Sequence, residues 1–105
     1  MNQRTNTLQD GFATLAGGKL YYQIKGRGHP LVLIHAGFLD QRMWDVQFDY
    51  FGKGFAVLRY DVRGFGKSSR PVEKYSDIED LYTLLTNLTT QSREGVWLVF
   101  RMGVE

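Results

Sequence analysis

The sequence predicts an α/β fold class: a β-hairpin followed by parallel strands in β-α-β-α-β order. Three observations predict it. Two β-prone runs flank Gly17-Gly18, the run "LVLIH" (Leu31–His35) is continuously apolar, and two segments of helical periodicity separate that run from the later apolar stretches "FAVLRYD" and "VWLVF". Tight glycine turns join antiparallel strands, continuous apolar strands are buried on both faces, and strands alternating with helices pair in parallel.

Taken in order, the first ten residues, "MNQRTNTLQD", are polar and read as a flexible arm. "GFATLA" (Gly11–Ala16) and "KLYYQIKG" (Lys19–Gly26) form the hairpin, with Gly17 and Gly18 as the two central residues of a primed turn that needs positive φ at both. The breaker cluster "GRGHP" (Gly26–Pro30) introduces Leu31–His35. Asp40 is placed to cap a helix over Gln41–Phe51, in which Met43, Trp44, Phe48 and Phe51 recur at helical spacing and Trp44, Phe48, Tyr50 and Phe51 are packing residues. That helix ends near Gly52–Gly54, and Phe55–Asp61 is the next strand. Pro71 in "RPVEKY" delays the second helix until Ser76, which forms a capping box with Glu79. Ile78, Leu81, Tyr82, Leu85 and Leu88 make its buried stripe. "TTQSREG" is a polar linker before the fifth strand, Val96–Phe100, and no composition shift divides residues 1–105 into more than one domain.

Composition narrows the function classes. The chain has 105 residues, 43% hydrophobic and 14% aromatic, enough for a packed core. It has no cysteine, so disulfides and cysteine-ligated metal are excluded, and His29 and His35 alone cannot supply a histidine-rich zinc site; the expectation is no metal and no cofactor. The net charge of +2 is scattered rather than blocked, which argues against nucleic acid. No apolar run is long enough to span a membrane and the opening residues lack the apolar core of a secretory signal; the expectation is a cytoplasmic protein.

"VLRYDVRGFGKSS" (Val57–Ser69) contains Gly66-Lys67-Ser68, the tail of a phosphate-binding loop. A Walker-type loop needs glycine at position 61, where this chain has Asp61. A carboxylate there repels the anion that the loop's N–H groups would cradle, and Pro71 separates the turn from its helix. Ser69 likewise breaks the dinucleotide glycine pattern. The turn belongs to other chemistry.

Three segments together resemble the N-terminal half of the α/β-hydrolase superfamily: "PLVLIHAGFLDQRMW", "FAVLRYDVRGFGKSSRP" and "YSDIEDLYTLL". They stand in the family's order, from about Phe12 to Phe100. The resemblance implies that a backbone N–H just beyond His35, that of Gly37 or of Phe38, is one donor of an oxyanion hole. His35 itself is read as a structural histidine bonded to loop backbone, since its place fits no base role. Asp61, Arg63, Gly64, Gly66 and Ser68 are read as a structural loop beneath the active site, binding one another and the backbone.

The family's nucleophile sits in Gly-x-Ser-x-Gly after the fifth strand, with acid and histidine base further on. Here the equivalent stretch is "LVFRMGVE", with Val99 at the first glycine and Arg101 at the serine. An arginine stays protonated and cannot attack a carbonyl. The expectation is a truncated relative of serine esterases and of epoxide and carbon–carbon hydrolases, catalytically inactive in isolation. The alternatives are a non-catalytic interaction module and a half-domain completed by another chain. A small ester-like substrate is implied only for an intact relative, and self-association through an exposed edge strand Val96–Phe100 is expected.

Overall fold

The computed structural model describes residues 8–88 and 98–101. Its elements are β1 (Leu8–Leu15), β2 (Gly18–Lys25), β3 (His29–Ile34), a 3-10 turn (Gln41–Trp44), α1 (Asp45–Phe51), β4 (Phe55–Tyr60), α2 (Asp77–Leu88) and β5 (Leu98–Arg101). The strands form one mixed sheet in the order β1-β2-β4-β3-β5. β1 and β2 are antiparallel, β2 runs antiparallel to β4, and β3 lies between β4 and β5, parallel to both.

That central place accounts for the unbroken apolar run of β3. Successive side chains on a strand point to opposite faces, and both faces are covered. Val32 and Ile34 join Leu20, Leu58, Tyr60 and Leu84 on the α2 side, whereas Leu31 and Leu33 join Trp44, Phe48 and Val57 on the α1 side. Leu31, Val32 and Leu33 are fully buried, each contributing roughly 1.5–3 kcal/mol of apolar transfer energy.

Several expectations are corrected. Leu8–Asp10 are the start of β1 rather than part of a flexible arm, and Asp10 is held by the Tyr21 hydroxyl at 2.6 Å. Residues 1–7 lie outside the described residues. The hairpin turn is one residue earlier than predicted: Leu15 pairs with Gly18, leaving Ala16 and Gly17 as the central pair. Gly17 has φ 84°, and Ala16 does not share a positive φ. This is the type II pattern, and Gly18 is left free to extend the ladder.

Asp40 does cap its helix, accepting from Arg42 N–H at 2.9 Å, but the first turn is 3-10 and the α-helix proper starts only at Asp45. Of the aromatic set on this segment, Trp44 and Phe48 are buried, whereas Tyr50 is solvent-exposed and stacks edgewise on Phe51. Ser76 Oγ accepts from Glu79 N–H at 3.2 Å, which is one half of the predicted capping box. The inner face of α2, however, is built on Asp80 and Leu84, with Leu81, Leu85 and Leu88 partly buried beside them. Ile78 and Tyr82 are 78% and 68% exposed. The helix is rolled so that Asp80 reaches an arginine below it. Of the predicted fifth strand, Val96 and Trp97 lie outside the described residues, as does the linker Thr89–Gly95.

Candidate functional site

Parallel strands deliver their following loops to one edge of the sheet, the place where α/β proteins build sites. Here β3 delivers His35–Leu39, β4 delivers Asp61–Ser69, and β5 ends on Arg101, which pairs in register with Ile34. The N-terminus of α2 closes the side. Between these parts lies a cleft of about 200 Å³ bordered by Ile34, His35, Gly37, Tyr60, Val62, Phe65, Asp77, Ile78, Leu81 and Arg101.

The floor is the loop after β4, which is tied down at nearly every residue. Asp61 is buried; one carboxylate oxygen accepts from Gln41 N–H at 2.8 Å and the other from Lys67 N–H at 2.9 Å. Ser68 Oγ donates to the Asp61 carbonyl at 2.5 Å and accepts from Tyr21 N–H at 2.8 Å. Ser69 and Lys19 exchange two further bonds, through Ser69 Oγ and through Ser69 N–H. Gly64 N–H donates to the Ser69 carbonyl at 2.8 Å, closing the loop on itself. Gly66 has φ 53°, and a Cβ placed there would fall 2.2 Å from an Asp61 oxygen. Only glycine fits this carboxylate-centred turn.

This geometry also disposes of a phosphate. The N–H groups of Val62, Gly64, Phe65, Lys67, Ser68 and Ser69 all donate within the protein. None of these six is left to cradle an anion.

Arg63 is the hinge between loop and helix. Its side chain and that of Asp80 are 6% and 9% exposed, and they meet in a two-point pair, Nε and Nη2 each 2.9 Å from a separate carboxylate oxygen. This geometry is the strong form of the ion pair, and the Asp80 bond holds the Arg63 guanidinium above its ordinary pKa. Nη2 also reaches the Ala16 carbonyl in the hairpin turn. One side chain thereby joins hairpin, loop and α2.

His35 is buried and both ring nitrogens are engaged. Nδ1 lies 2.8 Å from the Ala36 carbonyl, which can only accept, and Nε2 accepts from Val62 N–H at 2.9 Å. The partners dictate the tautomer with hydrogen on Nδ1. Phe65 packs its ring edge against the imidazole.

Beyond His35 the chain turns sharply. Ala36 N–H points at Met43 Sδ, and Leu39 N–H donates to the Ala36 carbonyl. Between them, the N–H groups of Gly37 and Phe38 meet no acceptor among the described residues. Phe38 has φ 67°, a left-handed conformation rare for a bulky residue, while its ring is 95% exposed. Gly37 borders the cleft and has open space where a Cβ would stand.

Acidic groups flank the site with opposite tendencies. Burial, and then the charge of Asp80, push the Asp77 carboxyl upward. Hydrogen bonds from the Arg42 guanidinium hold Asp40 at about 2. Burial drives the Tyr60 hydroxyl far above its ordinary range. Among the described residues no three metal-ligating side chains come together.

The structure thus brings together His35, Asp61, Arg63, Gly64, Gly66 and Ser68 around one carboxyl edge, with Gly37, Phe38 and Arg101 at its rim. Sequence reasoning missed Tyr21, Gln41 and Asp80 among the outside partners of the loop. Asp80 left a signal, an acid in phase with the apolar residues of α2. Tyr21 and Gln41 act largely through backbone N–H, which no side-chain pattern reports.

Comparison with known proteins places these features. A model of the alpha/beta hydrolase family matches residues 31–99. The AB hydrolase superfamily protein YisY of Bacillus subtilis is 35% identical over 88 residues, covering 80% of this chain and 32% of that protein. A bromoperoxidase from Bacillus anthracis superimposes with a TM-score of 0.73 at 35% identity, covering 89% of this chain and 34% of that one. Cfl2 from Burkholderia cenocepacia gives a TM-score of 0.80 over 95% of this chain and 34% of its own, at 21% identity, a likeness of fold alone. The chain spans about a third of the length of the curated relatives it matches.

Proposed function

The chain belongs to the alpha/beta hydrolase family, and from that premise we propose that it supplies the oxyanion-binding half of a hydrolytic site without the attacking group. One observation carries this reading: the N–H groups of Gly37, which borders the cleft, and of Phe38, the next residue, have no acceptor among the described residues. Such donors stabilise negative charge developing on a substrate oxygen, and removing one from a working site costs roughly 2.7–4 kcal/mol. The loop fixed by Asp61 and Arg63 keeps the surrounding floor rigid, which electrostatic preorganisation requires.

The 105-residue polypeptide by itself is proposed to be inactive. Arg101 continues β5 at the position aligned with the nucleophile, and a guanidinium does not attack carbonyls. Ser68, Ser69 and Ser76 are each engaged by backbone groups. The acceptor nitrogen of His35 is occupied by Val62 N–H, and His29 stands at the opposite end of β3. In a full-length relative the substrate would be a small ester-like molecule. As β5 ends the sheet among the described residues, its free side is the proposed route of self-association or of pairing with a complementary chain.

The test is p-nitrophenyl acetate turnover together with fluorophosphonate labelling of the purified polypeptide. The expected result is a rate at the buffer background and no covalent label. Stoichiometric labelling of a serine would refute the proposal.

A further inference from the structure

Arg101 occupies the cleft as more than a missing serine. The ion pairs among the described residues are Lys25–Asp49, Arg42–Asp40, Arg59–Asp45 and Arg63–Asp80, and they leave Arg101 out. No hydrogen bond holds its side chain among the described residues either. Its guanidinium borders the cleft with no ion pair among the described residues, and it carries five N–H donors in the planar fork that matches a carboxylate. The same cleft is bordered by Gly37, whose N–H, like that of Phe38 next to it in the chain, meets no acceptor among the described residues. The apolar part of the wall is Ile34, Val62, Phe65, Ile78 and Leu81.

We propose that this cleft binds a small amphipathic monocarboxylate, its head held by Arg101 and the Gly37 and Phe38 N–H groups and its tail laid along Ile34, Val62, Phe65 and Leu81. The inference rests on the oxyanion reading only through the two N–H groups, because Arg101 supplies the charge. A volume of about 200 Å³ lies below the range of roughly 300–1,000 Å³ typical of drug-sized ligands, so a single ring or a short chain fits. An uncharged ligand of the same shape forgoes the charge-assisted fork.

Asp77 is the one opposing charge on the wall. Burial and Asp80 push its carboxyl upward, while Arg101 acts in the other direction. Asp77 therefore competes with an incoming carboxylate for the guanidinium. The other titratable groups bordering the cleft are His35, whose ring nitrogens are both bonded, and Tyr60, whose hydroxyl stays protonated.

The probe is phenylacetate, titrated against the full chain by calorimetry and by amide NMR, with phenylacetamide as the uncharged isostere. Phenylacetate is expected to bind saturably, at least tenfold more tightly than phenylacetamide, and to shift the Gly37 and Phe38 amide signals. Arg101→Gln is expected to remove that tenfold preference, and Asp77→Asn to tighten phenylacetate severalfold. Equal affinity for the two ligands on the unaltered chain, or no saturable binding, overturns the proposal without any variant. Undiminished binding by a folded Arg101→Gln, or weakening by Asp77→Asn, overturns it as well. Ester turnover or serine labelling would instead sink the functional reading, so the two failures are distinguishable.

Discussion

Replacing Asp80 by alanine strands the Arg63 guanidinium beneath α2, leaving it a 3.3 Å contact to the Ala16 carbonyl, the face of Tyr75 and the more distant charge of Asp77 among the described residues. Both partners of the native pair are under a tenth exposed and the contact is two-pointed. Removing one member of such a buried pair costs about 3–5 kcal/mol, because the remaining charge keeps its desolvation penalty and loses its compensation. Replacing both members by apolar residues of similar volume, Arg63→Met with Asp80→Leu, removes penalty and compensation together and should lie within about 1 kcal/mol of the parent or above it. The assay is urea denaturation of the parent, Arg63→Met, Asp80→Leu and the double variant, with Asp80→Ala measured beside them, followed by far-ultraviolet circular dichroism. A coupling energy of several kcal/mol between the two sites is expected. An Asp80→Ala cost below about 1 kcal/mol, the range of exposed pairs, would refute the claim that this contact joins loop to helix.

Other consequences are local. Gly66→Ala forces a Cβ into the Asp61 carboxylate at a positive φ and should cost about 3 kcal/mol or more, whereas Gly37→Ala, with open space around it, should stay within about 0.5 kcal/mol in the same denaturation experiment. Phe38→Gly relieves a left-handed φ of 67° at the loss of a 95% exposed ring; a net gain of about 0.5–1 kcal/mol is expected, and a loss of similar size would show that the strain is not there. Asp40 is depressed from the ordinary 3.8 to about 2, so its ionised cap contributes stability that is complete above pH 3.8 and disappears as pH falls through about 2. The stability difference between the parent and Asp40→Asn should follow that window. A difference constant down to pH 2 would contradict it.

Much of the fold was legible because its signals are local. The apolar run of Leu31–His35, the cap at Asp40 and the glycine turn after Asp61 each report a physical requirement met within a few residues. The replacement of a Walker glycine by Asp61 likewise told against phosphate, and the structure supplies the reason in a carboxylate that organises the loop. What stayed hidden is non-local. The roll of α2, which buries Asp80 and exposes Ile78 and Tyr82, depends on an arginine 17 residues earlier in the chain. The one-residue shift of the hairpin turn follows from pairing Leu15 with Gly18, an energetic choice that two adjacent glycines leave open. That the N–H groups of Gly37 and Phe38 meet no acceptor among the described residues depends on the acceptors that Met43 and Ala36 supply to the residues around them.

The most direct measurement of the central claim is a chimera in which residues 8–88 of this chain replace the corresponding segment of a full-length active relative. If the loop after β3 presents working oxyanion donors, the folded chimera hydrolyses its parent's ester substrate with kcat within about tenfold of the parent. A folded chimera that keeps KM but loses roughly 10²–10³ in kcat, the signature of a missing oxyanion donor, would contradict the account.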